Sequence, residues 1–321
     1  MHAIWNQYPE IQQELLKVIA LMEENAKCKD KVIENSIKDM VHSTGKMLRP
    51  GFTIIASKFG EYLSNRTVAM ASVVELFHMA TLVHDDVIDD ATLRRGKETV
   101  QSKYGKEYAV YIGDYLFCVC FKILAQTASL HSIQMDSRAM SKICLGEVEQ
   151  LNSRFNKEVS VKNYLVRIAG KTAELFSLSL YIGAAESNCD KQLSRLFWNI
   201  GHNIGMAFQI IDDLLDYTSS EEILGKDSGH DLKEGNYTLP LIYALEKKPA
   251  DLIALLDKEV YEAEDIKKII ELTKFYGGID KAKELAQKYT QKAFKLIDRL
   301  PDNEYKVMLK EITRSLLDRR Y

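Results

Sequence analysis

Cysteine is scarce and unpatterned. Cys28, Cys118, Cys120, Cys144 and Cys189 are odd in number, irregular in spacing and include no C-x-x-C pair. That excludes a disulfide framework and a zinc site of the usual spacing, and it suits reduced thiols in a cytoplasmic protein. Charge of one sign is also lacking: 43 basic against 46 acidic residues leave a net charge of −3. Nucleic acid or an anionic bilayer is therefore not an expected partner, and any anionic ligand must be held by a local basic cluster. Uninterrupted apolar runs are short. The most apolar, residues 109–128, is broken by Asp114 and Lys122, so no membrane span is expected. Glu10 and Glu14 leave no basic-then-apolar pattern near the start, and no secretory leader is expected.

Proline is equally rare. Pro9, Pro50, Pro240, Pro249 and Pro301 each stand near the start of an apolar-periodic stretch, where proline suits the first helical turn. Between them apolar residues recur at helical spacing, as in Ile11-Leu15-Leu16-Ile19 and Ile200-Ile204-Ala207-Ile210-Ile211-Leu214. Sustained alternation of period two is absent, as are Asn-Gly and Asp-Gly turns. The pattern predicts an all-α fold of ten or more helices. Stretches near 70–90 and 165–217 are apolar on most sides and belong in the middle of a bundle. With 46% hydrophobic residues, the chain can bury a sizeable core. No Pro/Gly/Ser-rich linker divides it, so residues 1–321 are expected to form one domain.

What is present in excess is a pair of acidic motifs. Leu82-Val83-His84-Asp85-Asp86-Val87-Ile88-Asp89 and Gln209-Ile210-Ile211-Asp212-Asp213-Leu214-Leu215-Asp216 each place Asp-Asp-x-x-Asp in an apolar helical stretch. On a helix the three carboxylates share a face. Like charges at i,i+4 cost a helix ~0.2–0.5 kcal/mol, and apolar neighbours raise the cost. A solvated charged face explains one such triplet. Two of equal spacing, each followed by a basic loop, point to a divalent cation. All-oxygen ligation suits Mg²⁺, which completes its shell with water and phosphate oxygens.

Basic residues punctuate the rest. Lys46 and Arg49 stand just before a helix start, a plausible anion grip that would read as an ordinary loop if it stood alone. His78 lies on the helix of Asp85. Arg94-Arg95-Gly96-Lys97 follows the first motif directly, and a cation-rich turn beside an acidic metal face suits a diphosphate. Lys171 and Thr172 interrupt an apolar stretch. After the second motif a long glycine-bearing loop carries Lys226; it lacks the G-x-x-x-x-G-K-[ST] pattern of a P-loop.

Taken in order, these residues resemble the trans-polyprenyl diphosphate synthases over about residues 40–240. They are Lys46-x-x-Arg49-Pro50, His78, Asp85-Asp86-x-x-Asp89, Arg94-Arg95-Gly96, Lys171-Thr172, and Phe208-Gln209-x-x-Asp212-Asp213-x-x-Asp216 followed by Gly225-Lys226. The resemblance implies an isoprenoid synthase-type bundle around a central apolar cavity, Mg²⁺ dependence, and head-to-tail addition of isopentenyl diphosphate to an allylic diphosphate. It implies that Asp85, Asp86, Asp89 and Asp212 ligate metal, supported by Asp213 and Asp216. Lys46, Arg49, His78 and Arg95 would hold isopentenyl diphosphate. Arg94, Lys171, Lys226 and Gln209 would grip the allylic diphosphate, with Lys171, Thr172 and Gln209 facing the carbocation.

Two positions depart from the usual pattern: Met47 and Asn236 replace basic residues common in the family. Asn236, with the ending Arg319-Arg320-Tyr321, resembles the large catalytic subunit of bacterial heptaprenyl diphosphate synthases, which works with a small subunit; a homodimer making a hexaprenyl or octaprenyl product is the alternative. In short-chain relatives an aromatic residue four or five places before the first motif closes the product tunnel. Thr81 and Ala80 stand there, so a long product for a quinone side chain, menaquinone in the first instance, is implied. A terpene cyclase seldom carries a second Asp-Asp-x-x-Asp. A non-catalytic partner subunit should have lost one motif.

Overall fold

Nearly every stretch of helical periodicity forms a helix, because each has one apolar stripe to bury and few interior breakers. The computed structural model describes the chain except for residues 1, 44, 95, 219–228, 259 and 319–321. Its first ten α-helices are α1 (Pro9–Ala26), α2 (Lys31–His42), α3 (Leu48–Ser57), α4 (Ser64–Ile88), α5 (Val100–Tyr104), α6 (Lys106–Thr127), α7 (Leu130–Asn152), α8 (Val161–Ile168), α9 (Glu174–Ala185) and α10 (Lys191–Thr218). Further helices follow, among them His230–Lys233, Leu239–Leu245 and Gly278–Ile297. The sheet among the described residues is a two-stranded hairpin, β1 (Leu93–Arg94) and β2 (Lys97–Glu98), with Leu93 opposite Glu98 and Arg94 opposite Lys97. The all-α expectation holds.

Contacts gather the chain into two compact units. The first holds Met1–Ser137, Leu178–Trp198 and Asn303–Tyr305; the second holds Arg138–Ser177, Asn199–Asp302 and Lys306–Tyr321. The chain crosses between the units inside α7, α9 and α10, and twice more near the end, at 302/303 and, inside the helix Glu304–Leu317, at 305/306.

In the first unit α4 is the central helix. Residues 67–77 are buried without exception, and α1, α3 and α6 pack against it. Trp5 is fully buried and fixes the start of α3. Its indole lies where a Cβ on Gly51 would be, 2.1 Å from the nearest ring atom, so only glycine fits there. By length and composition alone α4 and α6 could each cross a bilayer. In the fold, 78% of the apolar window of α4 is buried among its neighbours, as expected of a core helix. Of the cysteines at 118 and 120, Cys120 fills core and Cys118 is exposed.

In the second unit the 199–218 part of α10 is the buried centre, with Ile200, Ile204, Ala207, Ile210 and Leu214 all removed from solvent. Leu239–Leu245 packs on Gly278–Ile297. Between α8 and α9 the helix widens to π geometry over Ala169–Ala173. Such insertions are rare and frequent at functional sites. This one carries Lys171 and Thr172.

Candidate active site

The first acidic motif sits at the end of α4, and only part of it is helical. Asp85 and Asp86 occupy the last turn, the helix ends at Ile88, and Asp89 is the cap. Asp90 adopts a left-handed conformation with φ +50°. Its N–H donates to Val87 O at 3.4 Å, and the N–H of Ala91 donates to Asp86 O at 2.9 Å. This pair of bonds is the Schellman closure of a helix, with aspartate where glycine is usual. The helix end is the negative pole of the peptide dipoles, where carboxylates are disfavoured and cations welcome. Three aspartates there demand positive charge. Arg94 supplies some of it: its Nε donates to Oδ1 of buried Asp86 at 2.8 Å. Asp85 and Asp89 remain half-buried.

The same unit gathers other basic residues. Trp5 Nε1 donates to the carbonyl of Lys46 at 2.6 Å, and Met47 turns the chain into α3 with φ +50°. Lys46 and Arg49, both half-buried, are therefore held on a fixed turn. Lys97 Nζ donates to Ser43 Oγ at 2.9 Å, tying that turn to the hairpin of Arg94. Thr99 and Gln101 anchor the hairpin base through the carbonyl of Ala91. His78 is half-buried on α4, two turns before Asp85 and on the same face.

In the second unit the second motif occupies the last two turns of α10, again at a helix C-terminus. Its aspartates differ in environment. Asp212 is exposed. Asp213 is buried and accepts Tyr164 Oη at 2.6 Å and Gln209 Nε2 at 2.7 Å. Burial raises its carboxyl to about 7, against the lowering effect of those two donors, and neighbouring Asp212 adds to the rise. Asp216 accepts the backbone N–H groups of His230 and Asp231, and burial raises it as well. Asp231 is a fourth carboxyl at this face, held well above the usual range by burial and then by Asp213, Asp216 and Asp212.

Facing these acids within the unit is the π segment. Lys171 Nζ is paired with Glu147 Oε2 at 2.7 Å, and Thr172 Oγ1 donates to Gln209 Oε1 at 2.7 Å. A Cβ on Gly146 would lie 2.8 Å from the backbone N of Lys171, so glycine lets α7 approach the segment closely. Arg167 is buried and donates to Ser153 Oγ and to the carbonyl of Tyr237.

The donor set suits Mg²⁺. Among the described residues no three His, Cys, Asp or Glu side chains converge into a cage. Mg²⁺ typically takes one or two protein carboxylates and fills its other positions with water and substrate phosphate, which matches acids at two helix C-termini.

The model of the polyprenyl synthetase family matches residues 30–273. The chain belongs to the polyprenyl synthetase family. It is 38% identical over 284 residues to heptaprenyl diphosphate synthase component 2 of Bacillus subtilis strain 168, covering 88% of this chain and 81% of that relative. The crystal structure of heptaprenyl diphosphate synthase from Staphylococcus aureus superposes with a TM-score of 0.91 at 38% identity, covering 97% of this chain and 98% of the other. That of geranylgeranyl pyrophosphate synthase from Lactobacillus brevis ATCC 367 gives 0.93 at 36% identity, covering 99% of each chain. As a member of this family the chain is a trans-prenyl diphosphate synthase.

Within this polyprenyl synthetase, Lys46, Arg49, His78, Asp85, Asp86, Asp89 and Arg94 fall in the first unit, and Lys171, Thr172, Gln209, Asp212, Asp213 and Asp216 in the second. Arg95, Lys226 and the ending Arg319-Arg320-Tyr321 lie outside the described residues. Sequence reasoning passed over Tyr164, Arg167, Glu147 and Asp231. Tyr164 had one signal: it stands seven residues before Lys171, on the same helical face. Glu147 and Asp231 are paired to the site by tertiary contacts alone.

Proposed function

We propose that this chain extends farnesyl diphosphate with isopentenyl diphosphate units, with Mg²⁺, to a heptaprenyl diphosphate destined for a quinone side chain. The observation that carries the reading is the placement of two Asp-Asp-x-x-Asp motifs at the C-terminal ends of two apolar helices. Asp85, Asp86, Asp89 and Asp212 would hold Mg²⁺, with Asp213 and Asp216 in support. When bound, Mg²⁺ supplies the positive charge that stabilises a departing diphosphate. Lys46, Arg49, His78 and Arg95 hold isopentenyl diphosphate; Arg94, Lys171 and Lys226 hold the allylic diphosphate. Thr172 and Gln209 set oxygen dipoles toward the allylic cation, and apolar walls keep water from it.

Product length rests on two supports: the small side chains at Ala80 and Thr81, and the printed names of the heptaprenyl relatives. The alternative is a hexaprenyl or octaprenyl product made by a homodimer. The two units work as one synthase domain; the family match across both and the crossings inside helices support this. The relative named component 2 supports a second polypeptide as partner, a small regulatory subunit or, in the alternative, a second copy of this chain. Reduced cysteines support a cytoplasmic setting.

The deciding experiment incubates the purified chain with Mg²⁺, farnesyl diphosphate and labelled isopentenyl diphosphate and measures product length. A heptaprenyl product supports the reading, and a shorter one overturns the chain length. A folded chain that binds Mg²⁺ yet stays silent points to the missing small subunit. Asp85→Ala should abolish turnover with unchanged helical circular dichroism; normal activity would sink the metal assignment.

A further inference from the structure

The deepest polar structure in the second unit is a hydrogen-bonded chain of four side chains. Tyr164 Oη donates to Asp213 Oδ2 at 2.6 Å. Gln209 Nε2 donates to Asp213 Oδ1 at 2.7 Å. Thr172 Oγ1 donates to Gln209 Oε1 at 2.7 Å. Tyr164 is fully buried, Asp213 is 4% exposed and Thr172 is 8% exposed. Only the far end, Thr172 and Gln209, belongs to the residues placed at the reacting carbon.

The direction of this chain is set by what each group presents to the next. Asp213 accepts at both oxygens, Oδ2 from the Tyr164 phenol and Oδ1 from the amide nitrogen of Gln209. That orientation turns the amide oxygen of Gln209 toward Thr172. The Thr172 hydroxyl therefore spends its one proton on Gln209 and keeps its lone pairs for whatever lies beyond. A hydroxyl that presents lone pairs stabilises a cation; one that presents its proton does not.

We infer that Tyr164 is a positioning residue: through Asp213 and Gln209 it sets the Thr172 hydroxyl so that its oxygen lone pairs, and not its proton, face the allylic cation. The inference rests on the prenyl-transfer reading above. Tyr164 itself touches no substrate. The phenol is a neutral donor buried whole in α8, with its ring beside the guanidinium of Arg167 at 5.5 Å.

The test is a double-mutant cycle. Tyr164→Phe removes one donor and leaves the ring. It should lower kcat by about tenfold, the usual scale for losing one hydrogen bond to a charged group, while KM for both diphosphates stays within about twofold. Thr172→Val should lower kcat at least as much. The double variant should be no slower than Thr172→Val alone, because Tyr164 acts only through that hydroxyl. Multiplying losses, or a rise in KM with unchanged kcat, would show a structural role and overturn the inference. Should Tyr164→Phe fail to fold, Tyr164→Met crossed with Thr172→Val reads the same link. Methionine fills the space of the ring without a donor, so its kcat loss should again vanish in the Thr172→Val background; additive losses reject the relay. A wild-type chain that transfers no prenyl group under any of these conditions defeats the functional reading instead, before the cycle is measured.

Discussion

Asp136 is buried on α7 one turn beyond Ser132, and its Oδ2 makes no hydrogen bond among the described residues. Next to it Glu186 is well served: it accepts from Ser129 N–H, Ser129 Oγ and Ser132 Oγ and is paired with Arg66. Burial, and then the charge of Glu186, push the Asp136 carboxyl up to about 8. Unfolded, the same group titrates near about 4. The folded state therefore binds one more proton than the unfolded state between those values, and stability is lost as pH rises from about 4 to about 8. Asp136→Asn keeps the shape without the proton. It should match wild type in guanidinium unfolding near the lower pH and exceed it by at least about 1 kcal/mol near the upper. Parallel pH profiles for the two proteins would show that Asp136 is ionised in the fold. Nothing in the sequence signals this pair, because residues 136 and 186 are brought together only by packing. The acidic motifs were legible for the opposite reason: their members are neighbours along one helix, so spacing alone puts them on one face.

At the scale of elements, periodicity exposes the helices and says less about where they stop. The first motif reads as wholly helical from its spacing, yet α4 ends at Ile88 and Asp89 becomes the cap. The reason is Asp90, a non-glycine residue in a left-handed turn, which no pattern of apolar spacing announces. The π segment at Ala169–Ala173 is hidden for a similar cause: one added residue shifts the helical phase by less than a short window resolves. Structure also refines the tunnel test. Ala80 is fully buried within α4, whereas Thr81 is half-buried and donates its hydroxyl to the carbonyl of His78. A phenylalanine at 80 would overpack the core at a cost of about 1–3 kcal/mol. Thr81→Phe is the cleaner variant. It should shorten the main product with little change in melting temperature, and unchanged product length by mass spectrometry would show that the growing chain does not pass this face of α4.

For the whole molecule, α6 poses the question of partners. It buries Ala109, Ile112, Leu116, Val119, Cys120, Ile123 and Leu124 on one side. On the other, Tyr111 is 69% exposed and Phe121 51%, with exposed Cys118 at helical spacing between them. Single exposed apolar residues are ordinary, whereas several along one helix are where the partner proposed above would be expected to sit, although exposed Asp114 lies among them. Composition could not show this, because an apolar run such as residues 109–128 reads the same whether its second side meets the core or solvent. A second polypeptide on this stripe, as proposed above, would cover it at little cost in order, since the helix is already formed. Tyr111→Glu combined with Phe121→Glu places two charges on that surface and none in the core. The expected result is a lower mass in sedimentation equilibrium, with helical circular dichroism unchanged and activity reduced. Should the double variant keep the wild-type mass, the partner sits elsewhere and the stripe is free surface. Wild type that is already a monomer alone, gaining mass and activity only when a small subunit is added, places that subunit on α6 if the double variant then fails to respond.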